Sequence, residues 1–147
     1  MEKDVTIRLM TGADYPVVYK LWKDTPGMGL RSLDDTEQGI KRFLARNPGS
    51  CFAAEAAGEL AGVILSGHDG RRGYIYHTAV REEYRRRGIG RVLVRAVEAA
   101  MAGEGITKIA LAAYKTNEEG NRFWKKAGFL SREDLVYRDK SINRENH

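Results

Sequence analysis

Residues Tyr76 to Arg91 read Tyr-His-Thr-Ala-Val-Arg-Glu-Glu-Tyr-Arg-Arg-Arg-Gly-Ile-Gly-Arg. The stretch begins with strand-forming residues, passes through a charged loop and opens a helix at Gly88-Ile89-Gly90. The first N–H groups of a helix have no preceding carbonyl to bond. The aligned peptide dipoles add about half a positive charge at that end. The glycines keep side chains out of the way, and Arg85, Arg86, Arg87 and Arg91 raise the local positive potential. Such a loop is a seat for phosphate or pyrophosphate, and a nucleotide-type cofactor is its expected occupant.

The 147 residues suit one domain with a sizeable core. Hydrophobic residues make up 42% and charged residues 31%, a balance that separates the chain from disordered and membrane-spanning classes. A net charge of +5 favours anionic partners. The arginines between Arg81 and Arg91 sit on one loop without interleaved stacking aromatics, so no nucleic-acid partner is expected. The single cysteine, Cys51, excludes an internal disulfide and fits a reducing compartment. The first residues are charged, and no run approaches the roughly 18 apolar residues of a membrane span. A cytoplasmic protein with no membrane partner is expected. No His, Cys, Asp and Glu spacing suggests a metal.

Outward from the central stretch, periodicity sets the remaining elements. Val5 to Met10 alternates as a strand. Thr11 and Asp14 form a near capping box for a helix over Gly12 to Asp24, with Pro16 in its first turns. A second helix is predicted over Asp34 to Arg46, with Ile40, Phe43 and Leu44 as its apolar stripe. Cys51 to Ala57 and Leu60 to Gly67 are apolar runs joined at Gly58-Glu59, a hairpin signal. Tyr74 to Val80 completes a three-strand meander. The helix from Gly88 to Gly103 carries Ile89, Val92, Leu93, Ala96, Val97 and Ala100 at a period of 3.6. Ile106 to Tyr114 reads as a strand. Thr116 and Glu119 have capping-box spacing ahead of a helix bearing Phe123, Trp124 and Ala127, which Gly128 ends. Phe129-Leu130 and Leu135 to Tyr137 read as two short final strands. One domain is expected over 1–138, with residues 139–147 a polar, frayed tail.

These residues carry a resemblance. The chain resembles the GNAT-type, acetyl-coenzyme A-dependent N-acetyltransferases. Their Arg/Gln-x-x-Gly-x-Gly/Ala signature is met by Arg85, Gly88 and Gly90, after a strand ending in Ala79-Val80. Their later Asn-x-x-Ala/Gly-x-x-Phe block is met by Asn117, Gly120, Phe123, Trp124, Lys126, Gly128 and Phe129. The element order matches as well, over nearly the whole chain. The resemblance implies an α+β fold with a central, mostly antiparallel sheet and helices on both faces. Backbone N–H groups from Arg86 through Gly88, Ile89 and Gly90 to Arg91 would hold the pyrophosphate of acetyl-coenzyme A. The pantetheine arm would lie between splayed strands, against Ala79 and Val80, with Asn117 beside it. The Val80 N–H would polarise the thioester carbonyl. Against this, Asn117 can equally be a helix cap, and Phe123 reads as core.

The chemistry implied is direct transfer of acetyl to a primary amine. Many relatives place a tyrosine acid directly after the Phe of the second block. Here that position is Trp124, whose indole N–H donates a hydrogen bond and no usable proton. Tyr114, Tyr137 and solvent are the substitutes, with Tyr114 preferred. For the base, His77 is the histidine inside a core strand; alternation groups it with Ile75 and Ala79, opposite Tyr74, Tyr76 and Thr78, unless a bulge shifts the parity. Glu55 is a second candidate, set against an exposed strand position. His68 reads as a solvated turn residue and Cys51 as a small buried hydrophobe. Trp22, Arg31 and Tyr76, with Met28, Leu30 and Tyr114, are the candidate substrate-pocket residues. Arg31 could read a carboxylate. The run Leu111 to Asn117 departs from that of ribosomal-protein N-terminal acetyltransferases, so a small-molecule amine is the expected acceptor. Peptide N-termini and a non-catalytic cofactor-binding module are the alternatives. A homodimer is compatible with such a fold.

Overall fold

Ala57 and Gly58 both take left-handed backbone, with φ of 51° and 77°. Two successive left-handed residues make the hairpin turn whose twist suits antiparallel strands. The turn falls one residue earlier than Gly58-Glu59 and joins β2 (Phe52–Ala56) to β3 (Glu59–His68). β4 (Gly73–Val80) extends the meander, and β1 (Val5–Leu9) pairs with β2 on the other side. With β5 (Ile109–Leu111) the sheet has the order β1-β2-β3-β4-β5, antiparallel except for the parallel pair β4/β5. The computed structural model describes residues 4–147; the first three residues of the expected domain lie outside them.

Among the described residues four α-helices cover the sheet: α1 (Tyr15–Lys23), α2 (Glu37–Arg46), α3 (Ile89–Gly103) and α4 (Glu118–Lys126). α3 buries Ile89, Leu93, Val94, Val97 and Met101 against Val5, Ala54, Ile64 and Ile75 on one face. On the opposite face α1 and α2 bury Val18, Leu21, Trp22, Ile40 and Leu44 against Ala53, Val63, Leu65 and Ala79. This is the α+β sandwich the element order implied. Among the described residues no helix is long and apolar enough to cross a membrane.

Local chemistry moves several boundaries. Gly12 to Asp14 is a separate 3₁₀ turn, because Pro16 has no N–H to close an α-turn onto the Gly12 carbonyl. Asp14 Oδ2 accepts the Thr11 N–H at 2.8 Å, as the capping-box spacing predicts, and its carboxylate also holds the Arg8 guanidinium. α2 starts at Glu37, three residues later than predicted: Thr36 is its N-cap, with Oγ1 accepting from Gly39 N–H at 3.0 Å. The cap of α4 is Asn117, whose Oδ1 accepts the Gly120 N–H at 3.0 Å; Thr116 and Glu119 form no capping box. β5 shrinks to three residues. The two final strands do not form among the described residues. Their apolar runs are only two and three residues long, Arg132 and Asp134 close on each other between them at 2.7 Å, and Leu135, Val136 and Tyr137 face solvent.

The C-terminal segment is held, where fraying was expected. Asn146 Oδ1 accepts the N–H groups of Leu33 and Asp34 at 3.0 and 3.1 Å, and its Nδ2 donates to Asp34 Oδ2 at 2.8 Å. Ser32 N–H donates to the His147 carbonyl at 2.8 Å. Polar composition alone suggested solvation; here the polar groups bind the backbone of the α1–α2 loop.

Cys51 is buried, and burial pushes its thiol up to about 11. We expect a thiol reagent at pH 8 to leave the folded protein unmodified and to titrate one thiol only after denaturation. Rapid native-state labelling would contradict the packing described.

Candidate active site

β4 and β5 pair only at Gly73–Ile109, Tyr74–Ala110 and Ile75–Leu111. Beyond Ile75 the two strands part. The cause lies in β4: Ser66 pairs with Ile75 but Ile64 pairs with Thr78, so Tyr76 and His77 together oppose Leu65. This is a bulge, which bends a strand and shifts its facing. On its other edge β4 stays attached to β3. Arg81 N–H donates to the Ala61 carbonyl at 2.8 Å, so strand alternation turns the Val80 N–H and C=O the opposite way, into the gap. The Val80 carbonyl accepts from Arg85 Nε at 3.0 Å, while its N–H points into the gap.

The gap leads to the start of α3. Gly88, the N-cap, has φ 83°, and Arg86 has φ 63°. A Cβ on Gly88 would meet nothing within 4 Å, so the glycine serves backbone conformation and leaves open space above it. Val92 N–H is bonded to the Gly88 carbonyl at 3.1 Å, whereas the N–H groups of Ile89, Gly90 and Arg91 precede any helix carbonyl. Gly90 has a different reason from the one expected. A Cβ there would come within 3.1 Å of the Phe123 ring, so Gly90 allows α3 to pack on α4. The arginines brace the loop: Arg85 on Val80, Arg81 near Glu59 and Glu83, Arg91 on the Lys126 carbonyl at 2.9 Å, and Arg87 over the Tyr84 ring. The open N–H groups and the unpaired strand edge fit a pyrophosphate followed by an extended, amide-bearing arm.

The α1–α2 loop reaches both walls of the gap. On the β4 side, Asp35 Oδ1 lies 2.8 Å from His77 Nε2, and Asp35 Oδ2 accepts the Arg31 N–H at 2.6 Å. Asp35 is buried, and these two donors satisfy its carboxylate. On the other side, a Cβ on Gly29 would fall 2.7 Å from the Tyr114 hydroxyl, and one on Gly27 would fall 3.1 Å from Asn117 Nδ2. The loop thus lies against Tyr114 and Asn117.

The sequence-predicted residues divide accordingly. Ala79, Val80, the loop from Arg85 to Arg91, Asn117, Tyr114 and His77 line or border one gap. The parity expected for His77 is corrected. Ile75 packs toward α3, but Tyr76 meets Phe43 of α2 and His77 meets Trp22 of α1. The bulge puts consecutive residues on one face. Trp22 is 0% exposed and lies edge-on to His77 at 4.8 Å; it supports the histidine and does not line a pocket. Trp124 packs between Phe123 and Phe129. Glu55 pairs with Arg8 across β1 and β2, away from the gap. His68 Nδ1 accepts the Gly70 N–H in a turn. Sequence reading missed Asp35, which stands among the acids of a helix start with no periodic signal of its own.

The family model described as "Acetyltransferase (GNAT) family" matches residues 15–129. An acetyltransferase of Sodalis glossinidius is 31% identical over 92% of this chain and 94% of its own. The crystal structure of Ard1 from Thermoplasma volcanium superposes with a TM-score of 0.77 at 26% identity, over 86% of this chain and 83% of that one. The aminoglycoside N-acetyltransferase AAC(6')-Iy in complex with CoA shares the fold, with a TM-score of 0.72 at 20% identity over 92% and 94% of the two chains. The chain belongs to the GNAT acetyltransferase family.

Proposed function

We propose that this protein is an acetyl-coenzyme A-dependent N-acetyltransferase acting on a primary amine of a small molecule. The observation that carries the reading is the pairing of two open backbone sites, the Val80 N–H on the edge of β4 that β5 leaves unpaired and the first-turn N–H groups of α3. When bound, acetyl-coenzyme A would supply a thioester whose carbonyl carbon the amine nitrogen attacks, forming C–N as C–S breaks and the thiol leaves with a proton. The N–H groups of Ile89, Gly90 and Arg91 would hold the pyrophosphate, and Asn117 Nδ2 and the edge of β4 would border the arm. The Val80 N–H would donate to the thioester oxygen, where negative charge develops.

His77 is the proposed base. A carboxylate only accepts, so Asp35 assigns the proton to Nε2 and leaves the lone pair on Nδ1. That nitrogen would take the proton the amine loses, directly or through one water. Tyr114 is the proposed acid for the leaving thiol. Tyr114→Phe is expected to lower kcat about tenfold or more without changing the KM for acetyl-coenzyme A; activity that survives the change would assign this proton to solvent.

A panel of amines and amino acids with acetyl-coenzyme A, read as free thiol release, tests the function. Turnover of small amines with none of peptide N-termini is the expected result. Coenzyme A binding without turnover of any acceptor would favour a non-catalytic binding module.

A further inference from the structure

Beside His77 and Asp35 lies a feature that acetyl transfer alone does not use. Tyr76 lies on the α2 face, where its ring meets that of Tyr74 at a tilt with centroids 4.7 Å apart and the edge of Phe43 at 5.4 Å. Tyr76 is 50% exposed and Tyr137 is 74% exposed. Burial raises the pKa of both Tyr74 and Tyr76, and the Tyr137 phenol adds to each rise. The Asp34 carboxylate also bears on Tyr76. Asp34 is held by the Asn146 amide at 2.8 Å, and among the described residues it has no Lys or Arg within ion-pair distance. An amide clamp fixes the position of the carboxylate without cancelling its charge. Aromatic faces with a fixed, uncompensated anion at their edge attract a cation.

We infer that Tyr74, Tyr76 and Tyr137, backed by Phe43 and flanked by Asp34, form a cation subsite, so that the preferred acceptor is an amine carrying a second ammonium centre. The inference rests on the N-acetyltransferase reading above. The reacting amine must reach His77 as a neutral nucleophile, and His77 is the chain neighbour of Tyr76. The second, charged amine would remain over the tyrosine faces while the first reacts. Asn146 belongs to this arrangement as a positioning residue, since it holds the Asp34 carboxylate together with the N–H groups of Leu33 and Asp34.

Two measurements decide it. In steady state, 1,4-diaminobutane is expected to exceed 1-aminobutane in kcat/KM by about tenfold or more. Tyr76→Leu and Asp34→Asn should each bring that ratio down severalfold. The exposed Tyr137→Leu should do so without touching the core. Separately, tetramethylammonium cannot be acetylated; it should shift the tyrosine ring resonances and compete with the diamine. Equal use of the two amines, or a preference for neutral-tailed benzylamine, overturns the subsite. Absence of turnover with every amine removes the transferase reading instead, and the tetramethylammonium titration then decides the subsite by itself: shifts at these tyrosines uphold it, and their absence overturns it.

Discussion

Gly88→Asp is expected to weaken coenzyme A binding about a hundredfold, through loss of roughly 3 kcal/mol of charge-assisted hydrogen bonding. Three effects combine. A side chain at φ 83° costs about 1 kcal/mol, less for Asp than for most residues. The new carboxylate at the N-cap can accept the N–H of Gly90 or Arg91 and so occupy the seat from within. Its charge also opposes any phosphate that approaches. Gly88→Ala separates these effects, since it carries the backbone strain alone and should stay within about tenfold of the parent. Calorimetric titration with coenzyme A gives the affinities, and a thermal melt checks folding. The melt should move little for Gly88→Asp, because a capping carboxylate offsets the strain. Undiminished affinity in that variant would place the pyrophosphate elsewhere and remove the basis of the proposed function.

What the sequence made legible follows from which interactions are local. Gly88 and its arginines announce an open helix start because capping chemistry spans only a few residues. The apolar period of α3 and the short turns of the meander are local in the same sense. The hairpin turn was misplaced by one residue because Ala57 takes a conformation that alanine adopts rarely. The gap was legible only through family resemblance. It arises where β4 stops pairing with β5, and the bulge at Tyr76-His77 depends on register with β3, which no window of one strand encodes. The same bulge decides that Tyr76 and His77 share a face. Asp35 illustrates the harder case. Its partner lies 42 residues away, and in sequence it is one acid of two before a threonine cap. The tail illustrates the converse, since Asn146 sits in a run that composition marks as solvated, yet it binds the loop carrying Asp34.

The His77–Asp35 pair yields the other large effect. His77→Gln is expected to lower kcat/KM for the amine by about 10² to 10⁴, with coenzyme A affinity unchanged. Asp35→Asn should cost less, about 10- to 100-fold, because the isosteric amide keeps its packing and can still accept the Arg31 N–H. Its loss has a specific origin. If the amide turns its NH₂ toward His77, it donates to Nε2 and drives the imidazole proton onto Nδ1, the atom assigned to accept from the amine. Asp35 therefore acts through His77 and is a positioning residue. The double variant tests that dependence: once His77 is gone, Asp35→Asn should add almost nothing, so the two losses should be far from additive. A purely structural pair would behave otherwise. Each substitution would lower thermal stability beside the buried Trp22. If His77→Gln retains kcat/KM within about threefold of the parent, which is less than 1 kcal/mol of barrier, then His77 is not the base. The proton must then leave the amine by another route, and the carboxylate at Asp35 serves only to anchor the α1–α2 loop to β4.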